Sequence, residues 1–494
     1  MKTRERIQSL APAARHGRLL LKTAFILILI VSFGHLVLGA HPLVVLMGGS
    51  AALFSVLPIA YLGIFNVAAI LIGLVGFRYV GFPLFAKLAM GQPLDSFLLD
   101  PAGSFGAVSV GVAGYLIAFV AASNLSIGRP LLQHTAREEL LGSISFLAAV
   151  IGIAANLVFA LRAGEAQTDI TVAKFFVAFI HLALITAIAR SVVASNLRKS
   201  VDLWVVVILI AEIVFGMVRN SRMALMETFM CFVVTVSAFE YRIRWRHFAL
   251  VATFIGLMVI FVTPIFLYVR SFRNDLSWTG RIGATIDASA NWPQAFSDFL
   301  RHRDLKDRLG WYLNYYGSPQ NVFERMSNIN HVDVLKAGAD SHAMVGLEDL
   351  GLAIERAMPR ILAPNKPLGY SQGHWLYKNI GISNPGPYAT APLIGTGYAA
   401  LGWMGAFFYP LLLGFAWLLF VKKICGWNLQ GNIWAIYLLL RVHNQFVEGS
   451  SDSYLLHIFR SLPQDFVLLW IVDTIARGRF LHPWRRESVQ IYGK

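Results

Sequence analysis

Long apolar runs separated by short polar breaks dominate the chain, and one polar interruption, roughly residues 270–396, divides them. A run of about 20 apolar residues reads as a membrane-crossing helix, because ~1.5 Å of rise per residue then covers a hydrocarbon layer of ~30 Å. The first such run falls at roughly 20–40, followed by roughly 42–59 and 61–78, where Pro58 and several glycines blur the boundary. Residues 79–103, with Phe82-Pro83, read as an amphipathic segment that either lies at the interface or dips partly inward. Further spans fall at roughly 104–123, 142–161, 172–194, 202–218, 223–240 and 248–269, then at roughly 397–420, 430–448 and 454–475. The pattern predicts an all-α polytopic membrane protein of about twelve helices. Its parts are helices over 1–269, a cap loop over 270–396, and the last helices with a basic tail over 397–494. Within the cap, Ala295–Leu300, Val332–Ala337 and Leu347–Arg356 read as short helices joined by turns.

Composition agrees with a membrane protein. The chain is 56% hydrophobic and 14% charged, where a soluble domain carries about 25% charge. Its net charge of +15 would suggest nucleic acid in a soluble protein, but no compact basic domain is present, so the charge reads as attraction to anionic lipid. The positive-inside rule also orients the chain. The tail to Lys22 sets Lys2, Arg4, Arg6, Arg15, Arg18 and Lys22 against Glu5, and no small-residue cleavage site follows, so it reads as cytoplasmic and uncleaved. Alternate loops then hold Arg129 and Arg137, Arg198 and Lys199, Arg242, Arg244 and Arg246, Lys422 and Lys423, and the C-terminal arginines. The opposite loops are poorer in cations, as in Arg162 against Glu165 and Asp169. Both termini are therefore expected in the cytoplasm and the large loop outside. Cys231 and Cys425 form no disulfide framework. No internal repeat, and no pair of broken helices of the transporter kind, is visible.

One hairpin departs from the charge rule. Val218-Arg219-Asn220-Ser221-Arg222-Met223 sets arginines on the outside, at the start of a helix. Free backbone N–H groups and the positive dipole end already favour an anion there, and arginine adds planar, bidentate donors. The alternatives are a phosphate pocket, lipid headgroups, or pairing with loop acids. Within apolar spans, Glu212, Glu227 and His181 read either as interhelical pairs or as a polar cavity, since such groups face the protein interior. Arg441, His443, Glu448, Asp452, His457 and Arg460 gather around the last outer hairpin, a candidate second wall of the same site.

The cap carries Phe323-Glu324-Arg325-Met326, His331-Val332-Asp333, His342 and Glu348-Asp349, and ends in Glu355-Arg356-Ala357-Met358-Pro359-Arg360-Ile361-Leu362-Ala363-Pro364-Asn365-Lys366-Pro367. At this last run the chain resembles the O-antigen and exopolysaccharide polymerases of bacterial inner membranes. There a Pro-Arg, Pro, Lys-Pro run ends the large periplasmic loop, with tryptophan where this chain has Ala363. The arginine-bearing hairpin and the glycine-rich approach to the next helix (Gly395, Gly397, Tyr398, Leu401-Gly402-Trp403-Met404-Gly405) extend the likeness over roughly 200–420. The resemblance implies a GT-C-like membrane glycosyltransferase. Its donor would be an undecaprenyl-pyrophosphate-linked oligosaccharide and its acceptor a sugar hydroxyl of a second lipid-linked unit. Membrane lipids, a chain-length regulator and a flippase are the expected partners, and no nucleic acid is.

Such a transfer needs cations on the leaving pyrophosphate and a base at the acceptor. Arg219, Arg222, Arg360 and Lys366 are the candidates for the first role, and His331, Asp333, His342 and Glu348 for the second. Glu227, Arg281, Arg325, Arg356, His374, Tyr377, Arg441 and His443 are candidate substrate contacts. For any single acid or histidine, ordinary solvation is the competing reading, and the cap's aromatics either stack on sugars or form an interfacial belt. No Asp-x-Asp pair and no His/Cys cluster of ligand spacing occurs in the cap, so the reaction is expected to need neither metal nor cofactor. An O-antigen ligase and a polysaccharide or lipid transporter are the alternative functions.

Overall fold

The structure is a computed structural model. It describes residues 2–132, 137–161, 176–218, 222–241, 278–297, 315–317, 326–358, 372–382 and 390–478, with scattered positions between 253 and 269. About 80% of the described residues are helical and none of them lies in a strand. In chain order the helices are α1 (Lys2–Val37), α2 (Pro42–Leu62), α3 (Val67–Ala89), α4 (Pro101–Asn124), α5 (Glu138–Leu161), α6 (Phe179–Ala194), α7 (Leu203–Val218) and α8 (Arg222–Ala238). They continue as α9 (Trp278–Ala290), α10 (Ile329–Ser341), α11 (Glu348–Ala357), α12 (Gln372–Asn379), α13 (Leu393–Cys425), α14 (Ile433–Glu448) and α15 (Ser451–Ala476).

Seven of these are long and apolar enough to cross a membrane, and α6, α7 and α8 are shorter apolar helices. Large apolar side chains stand exposed along α1, among them Phe25, Ile26, Leu29, Ile30 and Phe33. A face of that kind is stable against lipid and not against water.

The chain forms two compact units, the first of residues 1–130, 298–429 and 441–463, the second of 131–297, 430–440 and 464–494. In the first unit α4 packs along α13. Their backbones approach so closely at Gly114 that a Cβ there would lie 2.5 Å from the Phe407 carbonyl oxygen, the small-residue contact typical of membrane helices. The glycine-rich approach seen in the sequence is a helix break. Gly402 sits at φ 61°, ψ −140°, and the fully buried stretch 393–400 ends there before the apolar span continues.

The two ends of this unit are built differently. At one end Lys422 donates to the carbonyls of Ala122, Ser123 and Leu125 at 2.7, 3.1 and 2.9 Å, closing the C-terminus of α4 with a cation. Leu429 and Val67 exchange backbone bonds with Phe65 and Trp427 at the same end. The described cap segments attach at the other end, through Leu94, Leu99, Asp100 and the hairpin before α15.

One expected boundary differs. Of the two readings of segment 79–103 the interfacial one does not hold for its first part, because α3 continues through Arg78 to Ala89 as one apolar span. The charged residues of this span are satisfied from elsewhere. Lys87, fully buried, donates to the Ser96 carbonyl and hydroxyl at 3.0 and 2.7 Å and lies 4.1 Å from the Tyr315 ring centroid.

In the second unit α5 crosses α6 at Gly152, where a Cβ would meet the Ile180 nitrogen at 2.4 Å. Its interior holds His181 Nε2 at 3.3 Å from Glu212 and 3.9 Å from Glu227, with Thr228 donating to Glu212 at 3.4 Å.

Candidate functional site

The capped end of the first unit is organised by an irregularity in α3. Pro83 has no N–H, so the helix cannot keep regular bonding through this turn, and Phe77–Gly81 widens into a π turn in which the Phe82 N–H reaches the Phe77 carbonyl. The Arg78 carbonyl is thereby released. Asn328, just before α10, donates its backbone N–H to it at 2.9 Å, and its side-chain amide donates to the Val447 carbonyl at 3.0 Å. The Arg78 guanidinium pairs with Glu448 at the end of α14. A break in one helix thus lets Asn328 join the cap to α3 and α14, which a half-buried ion pair ties to each other.

His331 lies in the first turn of α10. Its Nδ1 is 2.9 Å from the hydroxyl of buried Tyr377, which in turn donates to the Thr390 carbonyl at 3.1 Å. A carbonyl can only accept, so the phenol proton goes to Thr390 and Nδ1–H must be the donor to Tyr377. That tautomer leaves Nε2 with its lone pair, the atom a base would use. Burial, then the Arg78 charge, pushes the His331 pKa down to about 4, so the ring is neutral near pH 7.

Asp333, two residues on, has a different part. Its oxygens accept from the Leu99 and Asp100 N–H groups at 2.7 and 2.9 Å and from the Ser104 hydroxyl at 2.8 Å. The carboxylate expected as a candidate base thereby also anchors α10 to the N-terminus of α4. Lys336 completes the anchor with 2.6 Å bonds to Asp100 and Asp340. Gly103 makes room for it, since a Cβ there would lie 2.2 Å from the Lys336 Cε.

A second polar junction joins α11, α12 and the start of α15. Buried Asp349 accepts from the Gln372 amide and, at 2.7 Å, from the Ser451 hydroxyl, while the Asp452 N–H donates to Gln372 Oε1 at 2.6 Å. Burial pushes the Asp349 pKa up to about 6; Asp452 adds to this, against the Ser451 and Gln372 hydrogen bonds. A carboxyl raised from 3.8 in the unfolded chain to about 6 when folded binds more protons folded than unfolded between those values. Its contribution to stability is therefore largest at low pH and is lost as pH rises through 6. The protein in detergent is expected to gain about 1 kcal/mol from this group between pH 7.5 and pH 5. Melting curves of wild type and Asp349→Asn at both pH values check this; an equal pH response in the two would remove Asp349 as the cause.

The chain matches no known protein-family model, no curated protein and no solved structure. The residues themselves must therefore carry the reading.

Of the other candidates, Arg356 sits 3.4 Å from Asp452, joining the second junction, and His374 is half-buried on α12. His342 and Glu348 are exposed, the latter in the first turn of α11 where it complements the helix dipole. Arg441 and His443 are half-buried on α14. Glu227 belongs to the His181 cluster of the second unit. Arg222 opens α8 and Arg281 lies on α9. Arg219, Arg325, Arg360 and Lys366, with the Pro359–Pro367 run, lie outside the described residues, as do the side chains of Arg222 and Arg281.

Residues not singled out by sequence reasoning as site candidates are Arg78, Asn328, Gln372 and Ser451. A signal existed for the first, because an arginine inside an apolar window and five residues before a proline is costly without a partner.

Proposed function

We propose that the chain is an inner-membrane glycosyltransferase that polymerises undecaprenyl-pyrophosphate-linked oligosaccharide units at its capped end. The observation that supports this most directly is the neutral His331 imidazole, oriented by Tyr377, at the capped end of an apolar bundle and near Arg78. A lipid-linked sugar has an apolar tail for the bundle's surroundings, an anionic pyrophosphate for guanidinium groups, and a hydroxyl-bearing glycan for the cap. In this reading the acceptor O–H bond gives its proton to His331 Nε2 while the oxygen bonds to the anomeric carbon. The bond from that carbon to the pyrophosphate oxygen breaks, and the electron pair leaves with the lipid pyrophosphate. Arg219, Arg222, Arg360 and Lys366 are the proposed leaving-group cations. Both termini are cytoplasmic and the cap periplasmic.

Deletion of the gene in the native host, read as surface-glycan length on a gel, tests the proposal. A single repeat left on the lipid supports a polymerase. Lipid-linked polymer that never reaches its acceptor means a ligase, and accumulation in the cytoplasm means a transporter. Arg222→Ala and Arg360→Ala are expected to abolish long chains at normal protein level, with lysine restoring them only in part because the planar fork is lost. Normal ladders from both alanine variants would sink the proposed cation pocket.

A further inference from the structure

The second unit carries a cavity of about 690 Å³ that the capped site does not use. One wall is a continuous face of α5, where Gly142 follows Glu138 and Glu139 at spacings of four and three and Phe146 follows Gly142 at four. Arg190 of α6 lies across Gly142, its Cδ and Nε 3.5 and 3.7 Å from where a Cβ would stand. Phe146, which stacks on Trp204, and Ile475 of α15 form the apolar side.

Two features point to a ligand. Among the described residues no hydrogen bond or ion pair engages the side chains of Arg190, Glu138 or Glu139, although all three line one cavity. Opposite charges so placed, and not paired with each other, complement a molecule that itself carries both signs. The cavity also runs from this charged rim to large apolar side chains left open, 63% for Phe146 and 45% for Ile475, at the end of helices apolar enough to enter a membrane. The complement of that gradient is an amphiphile with a charged head and acyl chains.

We propose that this cavity binds a phospholipid with a primary-amine headgroup. Arg190 takes the phosphate, Glu138 and Glu139 take the ammonium, and the chains lie along Phe146 and Ile475. A choline headgroup cannot donate N–H bonds to the carboxylates, and a glycerol headgroup brings them no cation. The site is independent of the proposed glycan transfer, and its test does not involve that activity.

The test is native mass spectrometry of the full chain in detergent, with equal amounts of phosphatidylethanolamine, phosphatidylcholine and phosphatidylglycerol of identical acyl chains. Wild type is expected to retain phosphatidylethanolamine several-fold over the other two. Glu138→Gln with Glu139→Gln should erase the preference for the amine, and Arg190→Gln should weaken retention of all three. Equal retention of the three lipids by wild type, or an intact preference in the folded double glutamine variant, overturns the proposal. If a variant does not fold, the wild-type competition alone decides it.

Discussion

Replacing Asp333 by alanine is expected to leave little folded protein, with the cap open to protease, because this carboxylate holds the cap helix to the bundle. The substitution removes the acceptor for two backbone N–H groups and the Ser104 hydroxyl in a site where Asp333 is 2% exposed. Hydrogen bonds to a charged group contribute about 1.5–3 kcal/mol each, and donors left buried without a partner cost about 1–3 kcal/mol. Relief of the Asp333 desolvation, which raises its pKa, offsets part of this. A net loss of about 3–5 kcal/mol is comparable with the whole stability of a small domain. Ser104→Ala, which removes one of the donors, should cost only about 1 kcal/mol. Melting temperature and limited proteolysis of both variants measure this. The opposite result is informative too: an Asp333→Ala protein that folds normally and is inactive would favour Asp333 as the base.

Asp333 also illustrates what was legible in the sequence. Its place beside His331 and its polar surroundings marked it as chemistry, yet local spacing cannot reveal that Leu99 and Asp100, 234 and 233 residues away, supply its donors. The same holds for α3. Hydropathy gives the long spans α1, α2, α4, α5, α13 and α15 because a helix facing lipid must be apolar over its whole length. It misplaces the third span because Arg78 and Lys87 look like an exit from the membrane when their partners, Glu448 and the Phe97, Tyr315 and Tyr316 rings, are invisible locally. The glycine-rich approach to α13 was readable as unusual, and its cause, a left-handed Gly402 at a helix break, is a backbone event that composition only hints at. His331 and Tyr377 were each candidates, but a base is defined by what orients it, and that pairing spans 46 residues.

His331→Ala is expected to lower glycan transfer by about 10²–10⁴-fold with the protein still folded, the usual range for losing a general base. The pH dependence of the transfer turns on how the imidazole's basicity is set. In the free protein burial and the Arg78 charge hold it at about 4, and a base that weak is poorly matched to neutral pH. A bound pyrophosphate brings negative charge toward the guanidinium groups and cancels part of the field that depresses the ring, so the donor itself strengthens the base. Two pH profiles then follow. For kcat/KM, which reports the free enzyme, the limb belonging to His331 should lie near its value of about 4. For kcat, which reports the bound complex, that limb should lie higher. Both limbs should vanish in His331→Ala, and Tyr377→Phe should weaken transfer less, because the ring keeps Nε2 but loses the partner that fixes its tautomer. Activity within a few-fold of wild type in His331→Ala would remove the imidazole from the reaction. Coincident kcat and kcat/KM profiles in wild type would leave the base in place and reject its activation by the donor.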